Sequence, residues 1–232
     1  LYVHLPWCVQ KCPYCDFNSH ENFDPSLENP YVDALVNDLE QQLGWAEGRE
    51  LVSIFFGGGT PSLFSGDAIQ QILEGIQQRL WLAEHCEITL ESNPGSAEAR
   101  KYDAYRQAGV NRSSIGVQSF NQQHLSKLGR IHSGDEASKA IALARSAGFD
   151  RLNIDLMYGL PGQTIKDGLE DIITGIEHGI DHFSWYQLTI ERNTAFWSAP
   201  PLLPTDDLIE PMQQQARAQF NAAGKPQNEV SA

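Results

Sequence analysis

Residues 2–15 read YVHLPWCVQKCPYC, a strand-like segment that leads directly into a loop with three cysteines. The cysteines are Cys8, Cys12 and Cys15, so the loop has the spacing CxxxCxxC. Three thiolates on one short loop can converge on a single metal centre. Cysteine thiolates hold [4Fe–4S] clusters, normally four to a cluster, so three would leave one iron with an open position. An open position lets a metal bind and polarise a small molecule, as in catalytic zinc sites.

Two other uses of the three cysteines stay open on this evidence. A structural zinc site needs a fourth ligand, for which the candidates are Cys86, His4, His20 and His132. A disulfide would need an oxidising compartment. Zinc sites favour two separated pairs of ligands, so the single triplet favours an iron–sulfur cluster.

The composition is that of an ordinary soluble globular protein. The chain has 232 residues, of which 41% are hydrophobic and 20% charged, and α/β barrels of this size fold as one domain. The net charge of −14 argues against binding nucleic acid or an anionic membrane through bulk electrostatics. No apolar run approaches the ~18 residues needed to span a bilayer, and no signal-peptide pattern opens the chain. We therefore expect a cytoplasmic protein, since grouped thiols favour a reducing compartment.

Strand-like and helix-like segments alternate along nearly the whole chain. The apolar pattern predicts strands over residues 2–5, 51–56, 88–90, 114–117, 152–156 and 183–188. Six strand-then-helix units imply a parallel sheet with right-handed crossovers. The sheet could be an open barrel or a flat doubly wound sheet, and periodicity does not choose between them. Both α/β folds place their sites at the C-terminal ends of the strands.

Local signals mark where several of the helices begin and end. Helix periodicity follows each predicted strand. The boundary signals are a cap at Asn29 with Pro30 after it, a cap at Ser96, a stop at Gly109, a capping box of Thr164 with Asp167, and a start at Thr205.

The segment Gly57-Gly58-Gly59-Thr60-Pro61 follows the second predicted strand. Three glycines leave backbone N–H and C=O groups open to close approach by a ligand. A tight turn before a helix would explain the same glycines. The cysteine loop at the end of the preceding strand favours the ligand interpretation.

Three polar side chains lie at or near the ends of later strands. Glu91 can accept both hydroxyls of a ribose, as acidic residues do in dinucleotide-binding folds, or it can cap the next helix. Gln118 follows the fourth strand. Asp155 lies within an apolar strand, where an unpaired carboxylate would be costly. We expect it to pair with Arg130 or a ligand hydroxyl, or to belong to a buried structural ion pair.

Four motifs come in a fixed order along the chain: YVHLPWC at 2–8, FGGGTPS at 56–62, SIGVQSF at 114–120 and NIDLMYGLPGQT at 153–164. Together they resemble the radical S-adenosylmethionine (SAM) superfamily. Within it they resemble the family of oxygen-independent coproporphyrinogen III oxidases and HemW-type haem chaperones. The resemblance runs from Tyr2 to about Glu191. It implies a partial (β/α)6 TIM-like barrel, a [4Fe–4S] cluster, bound SAM and, in the chaperone branch, haem.

The resemblance also implies a role for individual positions. Cys8, Cys12 and Cys15 would bind the cluster, whose open iron would chelate the amino and carboxylate groups of SAM. The SAM pocket would comprise Tyr2, Tyr14, Gly58, Gly59, Thr60, Glu91, Gln118, Arg130, Asp155 and Thr189. In that set the tyrosines flank cluster and SAM, the glycine segment meets the methionine part and Glu91 holds the ribose. Cys86 matches no ligand position, and we interpret it as a small buried hydrophobe.

One position separates the two branches of the family. The oxidase branch usually carries a fourth cysteine where this chain has Phe17. We therefore expect a haem chaperone, with haem and haem-acceptor proteins as partners. The alternatives are an enzyme that oxidatively decarboxylates coproporphyrinogen III propionates, and a non-catalytic remnant that carries a cluster. No side chain is assigned a catalytic role, because cofactors would carry the chemistry.

The resemblance divides the chain into two parts. Residues 1–200 correspond to the radical SAM core, and 201–232 to the start of the C-terminal region of the family. The segment 227–231 looks like the entry to that region, with Asn228 where an aromatic residue is usual. We expect the later part of that region to be absent from this chain.

Overall fold

The computed structural model describes residues 1–95 and 99–229. Its strands are β1 (Tyr2–Leu5), β2 (Leu51–Gly58), β3 (Leu82–Ser92), β4 (Arg112–Gln118), β5 (Arg151–Tyr158) and β6 (His182–Gln187). Its α-helices are α1 (Glu28–Gln42), α2 (Gly66–Gln77), α3 (Tyr102–Ala108), α4 (Gln122–Lys127), α5 (Gly134–Ser146), α6 (Ile165–Glu177), α7 (Ala195–Ser198) and α8 (Asp206–Ala222). Short 3₁₀ segments lie at Pro25–Leu27, Leu43–Trp45 and Pro61–Leu63.

The strand order decides between the two sheets that the sequence left open. The six strands are parallel and lie in the order β1-β2-β3-β4-β5-β6. A doubly wound sheet reverses its strand order at a switch point, and this sheet does not. Right-handed crossovers that always step in one direction keep the helices on one face, so the sheet is the open, partial barrel that we expected. Within the described residues, β1 and β6 are its two edges.

The hydrophobic core lies between the strands and the surrounding helices. Alternate strand residues such as Ile54, Ile115 and Ile154 are fully buried, and they belong to one apolar cluster with Ile69 and Ile141 from the helices. Strand side chains alternate between the two faces of the sheet. The barrel interior therefore receives the intervening residues, and many of these are polar: Thr89, Glu91, Ser114, Asn153 and Asp155.

All six predicted strands are present, although β3 is longer than the apolar pattern indicated. The prediction began at residue 88, whereas the strand begins at Leu82. Its first half carries the exposed polar residues Glu84 and His85, which interrupt the apolar run. The pairing of Leu51 with Leu82 extends the strand regardless of that polarity.

The predicted start of the first long helix is wrong. Asp24 caps a short 3₁₀ segment, where its carboxylate accepts a hydrogen bond from the Ser26 amide at 2.9 Å. The α-helix follows from Glu28, so Asn29 and Pro30 lie inside its first turn. Proline is tolerated there because first-turn amides have no intrahelical acceptor.

The other predicted helix boundaries are confirmed where they fall within the described residues. Thr164 and Asp167 form the predicted capping box at the start of α6. Gly109 ends α3 with a φ of 112°, a left-handed conformation that favours glycine. The predicted cap at Ser96 lies outside the described residues. Thr205 directly precedes α8, as expected.

The last helix packs against the outside of the barrel. Met212 is fully buried against α6, where a Cβ atom added to Gly168 would lie 2.9 Å from its sulfur. Gln213 Nε2 donates a hydrogen bond to the Tyr158 hydroxyl of β5 at 2.6 Å. The Phe220 ring contacts Phe183 of β6 at a centroid distance of 5.2 Å. None of the helices in the described ranges is long and apolar enough to cross a membrane.

Candidate functional site

The cysteine loop begins where β1 ends, and it folds back on its own first residues. Cys8 N–H donates to the carbonyl of His20 at 2.8 Å, and His20 N–H donates to the carbonyl of Pro6 at 2.7 Å. All three loop thiols are free; Cys8 is buried, and Cys12 and Cys15 are half-buried. Burial raises the pKa of the Cys15 thiol most, and the charges of Cys12 and Cys8 raise it further. The loop is therefore held in place by its own backbone, and its three thiols form no disulfide.

The geometry gives little support to a zinc site. Within residues 1–95 and 99–229, no three or more His, Cys, Asp or Glu side chains lie close enough to hold a single metal ion. The His4 ring contacts the Tyr2 hydroxyl and the carbonyl of Asn18, and the buried His132 ring contacts the carbonyl of Val117. Thiolates of a four-iron cluster each bind a separate iron, so they need not meet at one ion.

The glycine-rich turn packs directly on the cysteine loop. Gly59 N–H donates to the carbonyl of Leu5 at 2.9 Å, and Thr60 N–H donates to the carbonyl of Trp7 at 2.7 Å. A Cβ atom at Gly59 would lie 2.5 Å from the Trp7 carbonyl oxygen. Glycine is thus required here because two backbones approach each other closely. Two of the amides that we expected to face a ligand instead hold the loop against the barrel.

Tyr2, Gly57 and Glu91 meet inside the barrel at neighbouring strands. A Cβ atom at Gly57 would lie 2.9 Å from the Tyr2 ring and 3.2 Å from a carboxylate oxygen of Glu91. Burial raises the pKa of Glu91 to about 7, and the charge of Asp155 contributes to the same shift. The backbone N–H of Gly58 opposes that shift by donating a hydrogen bond to the carboxylate.

Asp155 lies among neutral polar side chains on the inner face of β4, β5 and β6. Asn153 Nδ2 donates to its carboxylate at 2.9 Å, and the Ser114 hydroxyl lies 3.4 Å from both carboxylate oxygens. Burial raises the pKa of Asp155, although hydrogen bonds from Ser184, Asn153 and Ser114 and the positive charge of Arg112 oppose the shift. Arg130, which we considered as its partner, does not pair with it, because the guanidinium of Arg130 reaches the cysteine loop instead.

Arg130 joins three parts of the site. Its Nη1 donates to the Cys12 sulfur at 3.2 Å, and its Nη2 donates to Asn93 Oδ1 at 2.6 Å and to the carbonyl of Gly116 at 3.0 Å. Asn93 Nδ2 in turn donates to the Thr60 hydroxyl at 3.1 Å. Arg130 Nε is buried and has no protein acceptor in the described chain. That orphan donor fits a site that holds a further group.

Two tyrosines, Tyr186 and Tyr14, lie on the same side of the site as Arg130. The Tyr186 hydroxyl of β6 donates to Gln118 Oε1 at 2.9 Å, and Gln118 has a φ of 66°, a left-handed conformation that is uncommon outside glycine. Tyr14 packs near Phe196, whose N–H donates to the carbonyl of Pro13 at 2.9 Å. Burial is the largest cause that raises the pKa of both tyrosines.

The structure brings most of the expected site residues into two neighbouring groups. One group is Tyr2, Gly58, Glu91 and Asp155, and the other is Cys12, Tyr14, Gln118 and Arg130, with Gly59 and Thr60 at the base of the cysteine loop. Thr189 is exposed just beyond β6.

Sequence reasoning missed Asn93 and Tyr186 as members of the site. Strand alternation offered a signal for both. Asn93 lies two residues after Glu91, and Tyr186 lies two residues after Ser184, so each continues an inward-facing row.

Comparison with known proteins places these features in a family. The radical SAM superfamily profile matches residues 2–173. The heme chaperone HemW of Escherichia coli K12 is 52% identical over 232 residues, which is 100% of this chain and 61% of that protein. The mouse mitochondrial radical S-adenosyl methionine domain-containing protein 1 is 39% identical over 236 residues, covering 100% of this chain and 53% of that protein.

A solved structure has a similar fold. Coproporphyrinogen III oxidase (HemN) from Escherichia coli, described as a radical SAM enzyme, superposes with a TM-score of 0.85 at 26% identity. The match covers 96% of this chain and 52% of the HemN chain. The chain thus spans little more than half of HemN and 61% of the E. coli HemW relative.

Proposed function

The chain belongs to the radical SAM superfamily, and we propose that it is a haem chaperone of the HemW type. It would hold one [4Fe–4S] cluster on Cys8, Cys12 and Cys15, with SAM beside the cluster. The observation that carries the proposal is the set of three free thiols on a loop fixed against the glycine-rich turn. The buried, partnerless Nε of Arg130 beside Cys12 supports a bound group at this place.

The side chains around the loop have the chemistry that SAM requires. Glu91 and Asp155 are interior carboxyl groups, and within the described residues the one cation that acts on Asp155 is Arg112, which forms no salt bridge with it. Both carboxyl groups are therefore available to ribose hydroxyls. Tyr2 would lie beside the ribose, because its ring is next to Gly57 and near Glu91. When bound, cluster and SAM would supply one-electron chemistry, and the protein would bind and orient them.

The remaining residues of the pocket would line the part of it that lies next to the cluster. Tyr14, Gln118 and Arg130 form one connected group there, and Thr60 is linked to it through Asn93. Gly58 and Gly59 would form the floor beneath the methionine part, and Thr189 would offer a backbone contact from the end of β6. These assignments predict which substitutions weaken SAM binding.

The chaperone branch is favoured by two observations on the sequence. The chain is 52% identical to a protein named heme chaperone HemW and 26% identical to HemN. Phe17, which is 62% exposed, occupies the position of the further cysteine that is usual in the oxidase branch. Haem and haem-acceptor proteins would then be the partners, and a reducing compartment, the cytoplasm, would suit the free thiols. Residues 201–232 would begin the C-terminal region.

The runner-up is an oxygen-independent coproporphyrinogen III oxidase. The close superposition on HemN, with a TM-score of 0.85, favours this second candidate.

Anaerobic reconstitution with iron and sulfide tests the first step of the proposal. The chain should take up about four irons and four sulfides, as a [4Fe–4S] centre requires, and calorimetry should then show SAM binding. Tight uptake of zinc under iron-replete conditions would support the zinc site instead.

The second step separates chaperone from oxidase. We extend the chain with the C-terminal part of the E. coli HemW relative and incubate it anaerobically with SAM, reductant and coproporphyrinogen III. A chaperone should bind haem and release it to an acceptor, without forming decarboxylated porphyrin in chromatography. Sustained multiple turnover would promote the oxidase.

A further inference from the structure

The positive charge of Arg130 is held in the site without a carboxylate. Within the ranges that the structure describes, Arg130 makes no salt bridge, and its acceptors are the Cys12 sulfur, the amide oxygen of Asn93 and a backbone carbonyl. A buried charge is costly unless it is paired. The only one of these acceptors that can carry a full negative charge is the sulfur of Cys12.

Asn93 fixes where that guanidinium points. Its amide oxygen accepts from Arg130 Nη2 at 2.6 Å, while its amide nitrogen donates to the Thr60 hydroxyl at 3.1 Å. An arginine can only donate hydrogen bonds, so the oxygen must face Arg130 and the nitrogen must face Thr60. Thr60 is itself held by its N–H on the carbonyl of Trp7. The chain of contacts therefore anchors Arg130 to the base of the cysteine loop.

We propose that Asn93 is a positioning residue that holds Arg130 against the Cys12 sulfur, so that the guanidinium favours the reduced state of a cluster bound at that sulfur. The inference rests on the proposed [4Fe–4S] cluster. Hydrogen bonds to cluster sulfurs and nearby charge are among the factors that set the reduction potential of a cluster. A fixed cation acts strongly where water is excluded, and reduction adds one negative charge beside it.

The contact at Asn93 accounts for the orientation better than the other contacts of Arg130. The carbonyl of Gly116 accepts from the same nitrogen, Nη2, at 3.0 Å. Without Asn93 the guanidinium keeps that acceptor but loses its shortest hydrogen bond and its link to Thr60. It can then turn about the remaining contact and move Nη1 away from the sulfur of Cys12.

The test is the midpoint potential of the reconstituted cluster, measured without SAM. Dithionite supplies the electron, and the EPR signal of the reduced cluster is followed against applied potential. Asn93→Leu keeps the approximate volume and removes both hydrogen bonds, and Arg130→Gln removes the charge. Each should make reduction at least about tenfold less favourable, which is about 59 mV for one electron. Iron and sulfide contents are measured first for every variant.

A double variant distinguishes positioning from general damage. If Asn93 acts through Arg130, Asn93→Leu should change the potential little further in the Arg130→Gln background, so the two effects should not add. Arg106→Gln is the matched control, because Arg106 contacts the carbonyl of Val110 and the Phe149 ring outside the barrel. Its potential should equal that of the wild type.

The outcomes separate this inference from the proposed function. Failure of the wild-type chain to take up a cluster would overturn both. Normal uptake with an unchanged potential in Asn93→Leu, or fully additive shifts in the double variant, would overturn the inference alone. Should Asn93→Leu fail to load, Asn93→Ser replaces it, because the short hydroxyl cannot bridge Arg130 and Thr60. Arg130→Lys should then recover part of the potential lost in Arg130→Gln, since it keeps the charge.

Discussion

The carboxyl groups of Glu91 at the end of β3 and of Asp155 in β5 both face the barrel interior, and the negative charge of Asp155 raises the pKa of Glu91. Burial is the larger cause of the shift that brings the pKa of Glu91 to about 7. The barrel interior therefore holds a carboxyl group that is partly protonated near neutral pH. Hydroxyl groups of a ligand that donate hydrogen bonds to Glu91 would stabilise its charged form and lower its pKa.

Replacing Glu91 by Gln should flatten the dependence of stability on pH. The folded-state pKa of about 7 lies above the ordinary value of 4.5, so between these values the folded chain binds more protons than the unfolded chain. The free energy of unfolding therefore falls as pH rises through this window. From pH 5 to 8 the wild type should lose about 1–3 kcal/mol more than Glu91→Gln, since one pKa unit corresponds to about 1.4 kcal/mol. Urea unfolding at both pH values measures it, and equal losses would contradict the shift.

Gly59→Ala should weaken the attachment of the cysteine loop. The new methyl group would lie 2.5 Å from the backbone oxygen of Trp7, and overpacking of this kind costs about 1–3 kcal/mol. Gly44→Ala is the control, because a Cβ atom there meets nothing within 4 Å. Thermal unfolding of the cluster-free chain compares them. A Gly59→Ala variant as stable as Gly44→Ala would show that the loop can shift without loss.

Asp171→Ala should disturb the turn that carries Gln118. The Asp171 carboxylate accepts hydrogen bonds from the Ser119 hydroxyl and the Phe120 N–H, both at 2.7 Å. Its loss leaves two donors without an acceptor, and each buried donor costs about 1–3 kcal/mol, so we expect a destabilisation of about 2 kcal/mol or more.

The control for Asp171 lies on the same helix. Glu170 is exposed and pairs with Lys166 across one turn at 3.3 Å, so Glu170→Ala should cost less than about 0.5 kcal/mol. Guanidinium unfolding measures both variants. Equal effects would mean that the turn after β4 does not depend on Asp171.

Substitution of a loop cysteine and of the core cysteine Cys86 should have different effects on the amount of iron that the chain takes up. Cys12→Ala should abolish the cluster, because it removes one of only three thiolates on the loop. Cys86→Ala should keep about four irons per chain, because Cys86 is buried in β3 as part of the apolar core. Iron analysis and the visible spectrum after reconstitution measure this. Loss of iron in the Cys86 variant would make Cys86 a fourth ligand.

Much of the fold could be predicted from the sequence, because buried parallel strands are apolar runs. Leu51 to Phe56 and Leu152 to Leu156 are examples that the structure confirms. Periodicity alone could not choose the barrel, because the choice depends on which strand pairs with which; the family resemblance predicted it. The predicted start of α1 was wrong because a 3₁₀ segment capped by Asp24 leads directly into the helix at Glu28.

The site was predictable as a set of motifs and not as a set of contacts. Each motif ends a strand, so its location followed from the fold class. The role of Asn93 depends on the positions of Arg130 and Thr60, which lie 37 and 33 residues away along the chain. The neutral hydrogen-bond partners of Asp155 were equally hidden, since Asn153 and Ser114 meet only when β4 and β5 pair.

The one-directional strand order also has a consequence for how the chain acquires its structure. Each strand pairs only with its neighbours in sequence, so the sheet can grow one strand at a time as the chain is synthesised. The cysteine loop is translated before its neighbours Thr60, Arg130 and Phe196, which lie much further along the chain. The nascent chain therefore carries three exposed thiols until these partners have been made, and the loop reaches its final packing only when Phe196 meets Pro13.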